Sequence, residues 1–176
     1  MSATPASKSQ PKQTVQPAPA QEAVNTADLY DERGEELNSI ALQFQSLGGR
    51  SHFSGPVRTI SCFEDNALVK STLATPGNGA VLVVDGSGSL RTALMGDMIA
   101  ASAVENGWAG VVINGAIRDR EAIAELPLGV KALGSNPRKS AKAGAGETDV
   151  DLLIDGVTIR SGATIWCDPD GILVER

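Results

Sequence analysis

Aromatic residues are scarce in this chain: one Tyr, three Phe and two Trp account for 3% of 176 residues. A surface that stacks bases needs aromatic platforms or a basic stripe, and the net charge here is −6, so direct nucleic-acid binding is not expected. His52 is the sole histidine, it precedes a strand-like segment, and it reads as a surface or interface residue, leaving no Ser–His or Cys–His dyad. The two cysteines, Cys62 and Cys167, sit far apart in apolar segments without metal-ligand spacing and read as buried free thiols. Lys70 follows an apolar helix face and Lys131, Lys139 and Lys142 lie in or near polar loop, so no buried lysine offers itself for imine chemistry. No apolar run approaches the ~20 residues of a membrane span, and the N-terminus lacks the apolar core of a secretory signal. A soluble, cytoplasmic protein with no membrane partner is the expectation.

What the chain does have is length for one domain and a core. Residues 1–25 hold four prolines, no aromatic residue and many Ser, Ala and Gln, which predicts a disordered tail ahead of a single domain over 26–176. Thr26 can cap a short helix through Glu32, and 37–44 predicts a strand or a turn of helix before Gly48-Gly49 breaks the chain. Residues 53–63 alternate as a strand, Asp65 or Asn66 can cap a helix to Leu73, and Ala80 to Val84 is a buried strand. Asp85 ends that strand in the glycine-rich turn 85–90, as a turn former or as a residue that positions a pocket. A strand at 111–114, a helix at 121–125 and a strand at 129–133 follow. Residues 134–147 have almost no large apolar side chain and read as a mobile surface loop. Asp155-Gly156 and Asp168 to Gly171 each mark a hairpin, so an α/β middle is followed by a β-rich end.

The segment Met95 to Glu121 carries the chemistry. Gly96-Asp97 reads as a helix start, Ala100 to Glu105 as its body, Asn106-Gly107 as its stop and Ala109 to Asn114 as a strand that delivers Arg118-Asp119. Helix start and strand end can thus face one pocket. Backbone N–H groups of Gly96, Asp97, Met98 and Ile99 suit an anion, Arg118 offers a planar fork, and Asp119 is either a helix N-cap or a hard ligand for a divalent cation such as Mg²⁺ or Mn²⁺. A small oxo-acid held beside a cation fits that set.

GD at 96–97 and ENGWAGVVINGAIRD at 105–119, with GGRSHFSGPVRTISCFEDN at 48–66, VLVVDGSGSLRTALMGD at 81–97 and AGAGETDV at 143–150, resemble the RraA family over roughly residues 26 to 174. The resemblance implies a swivelling β/β/α domain, assembled as a homotrimer or hexamer with pockets between subunits. It also implies one of two roles. Some members are metal-dependent aldolases that cleave 4-hydroxy-4-methyl-2-oxoglutarate and decarboxylate oxaloacetate, and others bind and inhibit ribonuclease E. In the aldolases the residue matching Asp119 binds the metal, with Arg118 and Asp97 as the catalytic pair and Gly96 to Ile99 holding the 2-keto acid. An extra acidic group falls either at the position of Asp97 or three residues past Asp119; this chain has Asp97 at the first and Ala122 at the second, while Glu121 is expected to point elsewhere. The aldolase form is therefore expected, and a ribonuclease E-type protein partner is the competing expectation.

Overall fold

The computed structural model describes residues 22–176. Of the expected tail, residues 1–21 lie outside the described residues. Asn25, within the same stretch, caps helix α1, Thr26–Arg33, by accepting the Asp28 N–H at 3.1 Å. The expected cap, Thr26, is instead the first helical residue, and its N–H and hydroxyl are committed to the Asp168 carboxylate. The chain then runs β1 Leu37–Ile40, β2 Gln45–Ser46, β3 Phe53–Ser61, α2 Ala67–Leu73, β4 Val81–Asp85, β5 Ala93–Met95, α3 Asp97–Glu105, β6 Gly110–Ile117, α4 Arg120–Ala124 and β7 Gly129–Ser135. It ends with β8 Glu147–Thr148, β9 Leu152–Ile154, β10 Val157–Ile159, β11 Thr164–Cys167 and β12 Ile172–Glu175.

Strands β3, β4, β6 and β7 pair in parallel in that order, and β11, β12 and β1 extend the sheet antiparallel beyond β3. The unbroken apolar run of β4 follows from burial on both faces. Leu82 and Val84 point to one core with Val69 and Leu73 of α2, Ala100 and Ala103 of α3 and Ile123 of α4. Val81 and Val83 point to a second core with Ile154, Ile159, Ile165 and Val174. Helices thus cover one face and the β-rich C-terminal part covers the other, as expected of the β/β/α arrangement. Phe53 lies flat over the paired Gly110 and Gly129, where an added Cβ would come within 2.3 and 2.1 Å of its ring.

Three local departures matter for the site. Strand β6 continues to Ile117 instead of stopping at Asn114, because the unexpected β5 pairs alongside it. Asn114-Gly115 reads as a stop by composition, yet Asn114 is buried and its side chain donates to Asp85 Oδ1 at 2.9 Å. The segment 134–147 is held rather than loose. Asp65 accepts from the N–H groups of Ala143, Gly144 and Ala145 at 2.8 to 3.4 Å, Ser140 is buried, and Ala93 bridges to Lys139. No helix among the described residues is long and apolar enough to cross a membrane.

Candidate functional site

The longer β6 carries Arg118 and Asp119 out to the start of α3. The Arg118 N–H donates to Met95 O at 2.9 Å, which locks the strand end beside β5 and Gly96. Asp119 occupies the N-cap position of α4, as the structural reading expects, but its carboxylate caps nothing there. It sits at φ +58°, a left-handed conformation that costs a non-glycine residue on the order of 1 kcal/mol, and turns its side chain towards α3. Oδ2 accepts the Asp97 N–H at 3.1 Å and lies 3.6 Å from Arg118 Nε, while Oδ1 accepts no hydrogen bond among the described residues.

Gly96 makes this approach possible. An added Cβ would fall 2.7 Å from Asp119 Oδ2 and 3.3 Å from Arg118 Cγ. Its φ of −122° is open to any residue, so the glycine is required by space and not by backbone conformation. Asp97 opens α3, and its own Oδ1 accepts the Met98 N–H at 2.8 Å. Of the four backbone groups expected to receive an anion, those of Asp97 and Met98 are therefore already answered by carboxylates of the protein. The Ile99 N–H is bonded to neither carboxylate. The structure brings Gly96, Asp97, Met98, Ile99 and Arg118 to one cleft of about 270 Å³, and Asp97, Arg118 and Asp119 to an adjoining one of about 550 Å³. Asp97 and Arg118 form the shared ridge.

A divalent cation fits the donors at this ridge. Oδ1 of Asp119 accepts no hydrogen bond among the described residues, its Oδ2 fills the recess that a methyl group on Gly96 would close, and Asp97 brings a second carboxylate to the same helix start. Among the described residues no group of three or more His, Cys, Asp or Glu side chains converges, so such a cation would keep most of its water, as Mg²⁺ and Mn²⁺ commonly do.

Residues not anticipated for the site are lysines. Lys70 of α2 and Lys139 and Lys142 of the held segment line the smaller cleft with Asn66, Ser102 and Arg118. They escape sequence reading because polar-loop lysines default to solvent, and only the anchoring by Asp65 turns the segment into a wall. Lys131 also departs from expectation. It is 1% exposed, and Nζ donates to the Asp168 carbonyl at 2.6 Å; burial pulls its pKa down against the nearby Asp168 and Asp170. It lines neither cleft. Glu121, expected to point away, lines the larger cleft with Ala122. Asp85 is the turn former: Oδ1 accepts the Ser87 N–H at 2.9 Å. His52 Nδ1 lies 3.0 Å from Ser51 Oγ. Cys62 and Cys167 are free and buried, and burial pushes the Cys62 thiol up to about 11.

The chain is similar to proteins of known family and structure. The model of the RraA-like family, Aldolase/RraA, matches residues 26–174. The crystal structure of S-adenosylmethionine:2-dimethylmenaquinone methyltransferase from Geobacillus kaustophilus HTA426 is 49% identical over 86% of this chain and 94% of that one, with a TM-score of 0.84. The RNA-processing inhibitor RraA from Thermus thermophilus is likewise 49% identical, over 88% and 93%, with a TM-score of 0.84. An unusual member of the RNase ES inhibitor RraA family from Streptomyces coelicolor is 29% identical over 84% and 76%, at a TM-score of 0.66.

Proposed function

The chain belongs to the RraA-like family, Aldolase/RraA, and from that premise we propose that it is a divalent-cation-dependent carbon–carbon lyase acting on small 2-keto acids. The substrates proposed are 4-hydroxy-4-methyl-2-oxoglutarate, cleaved to two pyruvates, and oxaloacetate, decarboxylated to one. The two relatives at 49% identity bear unrelated functional names, so the names do not decide. The observation that carries the reading is Asp119, which leaves its capping role, accepts a left-handed backbone and presents a free oxygen beside Arg118 and the start of α3.

When bound at Asp119, Mg²⁺ or Mn²⁺ would supply Lewis acidity to the 2-keto oxygen. The residues do the remaining work. Arg118 directs its guanidinium at the same oxygen, where negative charge grows as the carbon–carbon bond breaks and the pyruvate enolate leaves; fixed donors of this kind are worth about 3 kcal/mol. The Ile99 N–H, at the positive end of α3, receives the substrate carboxylate, and the Asp97 and Met98 N–H groups join it when that carboxylate displaces the protein's own. Asp97 takes the proton drawn from the C4 hydroxyl through an intervening water, and the same route returns it to C3 of the enolate, which completes the second pyruvate. Oxaloacetate loses CO₂ without that proton transfer, so its turnover depends less on Asp97. The proposed assembly is a trimer or hexamer, as the resemblance to the family implies.

Oxalate tests the reading, since its two coplanar carboxylates imitate the enolate. In calorimetric titrations it should bind with Mg²⁺ or Mn²⁺ present, lose that binding in chelator and in Asp119→Ala, and inhibit pyruvate release competitively. Metal-dependent turnover by folded Asp119→Ala would reject the assignment of Asp119. A protein that only regulates a ribonuclease E-type partner would bind that partner equally well with or without Asp119 and release no pyruvate.

A further inference from the structure

We propose that Asn66, Lys70, Ser102, Lys139 and Lys142 form a subsite for the distal anionic group of a two-ended acid whose keto end lies at Arg118; the placement of that keto end rests on the lyase reading. The wall is assembled from two elements, with Asn66 and Lys70 at α2 and Lys139 and Lys142 in the segment that Asp65 clamps. With Arg118 they put four cations and one carboxylate, Asp97, around about 270 Å³, in a chain whose net charge is −6. None of the three lysines has an acidic partner among the described residues. Like charges that outnumber the carboxylates beside them disfavour the empty cleft and favour an anion in it.

Asn66 points to a ligand independently of the charges. It is 8% exposed and lines the cleft, yet its Oδ1 is buried without a hydrogen-bond partner. It stands at the N-cap of α2 and makes no side-chain cap bond, and its N–H is tied to Ala141 O at 3.0 Å, which fixes it against the clamped segment. A buried amide left unmatched is a demand for a partner that the protein does not supply. Whichever way the amide is turned, it offers one group to the cleft: an acceptor for a hydroxyl, or a donor for a carboxylate. A 2-keto acid with a second anionic end, and a hydroxyl along its length, meets both the lysines and Asn66. The small cleft and its charge exclude long apolar acids.

The test is calorimetric binding to the full chain with Mn²⁺, comparing 2-oxoglutarate with 2-oxopentanoate, which has the same length without the distal carboxylate. Wild type should bind 2-oxoglutarate at least tenfold more tightly. The preference should fall below twofold in Lys70→Met/Lys139→Met/Lys142→Met and shrink severalfold in Asn66→Ala, while 2-oxopentanoate affinity stays constant and so controls for folding. An equal affinity in wild type, or a preference that survives the triple substitution, overturns the subsite. Including 2-oxo-4-phosphonobutanoate separates carboxylate from phosphate-like ends: whichever binds more tightly through the lysines is the group the subsite is built for. If neither keto acid binds, the lyase reading fails and glutarate alone decides the subsite: binding lost in the triple variant upholds it, and no binding overturns it.

Discussion

Asp119 and Gly96 act as a pair, and the geometry between them predicts what each substitution does. Gly96→Ala puts a methyl 2.7 Å from Asp119 Oδ2 with no backbone strain of its own. The fold should therefore persist while the carboxylate moves by about an ångström, and a displacement of that size in a positioned group costs roughly 100-fold in kcat/KM. Steady-state kinetics alongside thermal melts checks this; unchanged kinetics would show that Asp119 tolerates displacement and is no ligand. Arg118→Lys keeps the charge and loses the planar fork, so most activity should go although the melting temperature stays within a few degrees. Of the site, Asp97, Arg118 and Asp119 were legible because one helix–strand unit spaces them. The direction of one side chain was not: the fold sets Asp119 across to the Asp97 N–H instead of onto α4.

At the scale of elements, the segment after β7 shows how one buried carboxylate turns a polar loop into a wall. Asp65 accepts the Ala67 N–H at 3.0 Å at the start of α2 and the three N–H groups of Ala143 to Ala145 beyond it. Those bonds, the Ala67 one foremost, hold its carboxyl below the ordinary 3.8 in spite of burial. A pKa lowered by folding means that the stabilisation is present above that ordinary value and is lost as pH falls through the lowered one. Hydrogen exchange at Ala143 to Ala145 should accordingly quicken in strongly acidic solution and at neutral pH in Asp65→Ala, where the loss of charge-assisted bonds costs about 2 kcal/mol. Exchange unchanged in that variant would assign the order of the segment to its bridges with Ala93 and Asp65 backbone instead. The strands β3, β4 and β7, helices α2 and α3, and both C-terminal hairpins were legible from alternation, caps and Asp-Gly turns. Strand β5 and the end of β6 were not, since three residues are too few for a period and Asn114-Gly115 looks like a turn until Asp85 and the buried sheet take it in.

The two ends of the described chain meet in a way that sets where the domain begins. Asp168, in the last hairpin, accepts the Thr26 N–H at 2.7 Å, the Thr26 hydroxyl at 2.8 Å and the Asp170 N–H at 2.9 Å, and its carbonyl takes Lys131 Nζ. Burial works to raise this carboxyl, and the bonds from Thr26, Asp170 and Gly171 prevail and hold it low. Helix α1 is thereby tied through Asp168 to β7 and to the β11–β12 turn. Removing residues 1–24 spares Asn25 and every one of these bonds, so fold, assembly and oxalate binding should be unchanged. Removing residues 1–26 takes two bonds from a buried carboxylate, worth about 3 kcal/mol together, which for a chain of this size lowers the melting temperature by roughly 10 °C. Thr26→Ala, which keeps the N–H and loses only the hydroxyl, should fall between the two. Melting curves of the three proteins measure the series. A loss of assembly in the shorter deletion would make residues 1–24 a docking arm, and equal melting temperatures throughout would remove Asp168 from the forces that hold α1 in place.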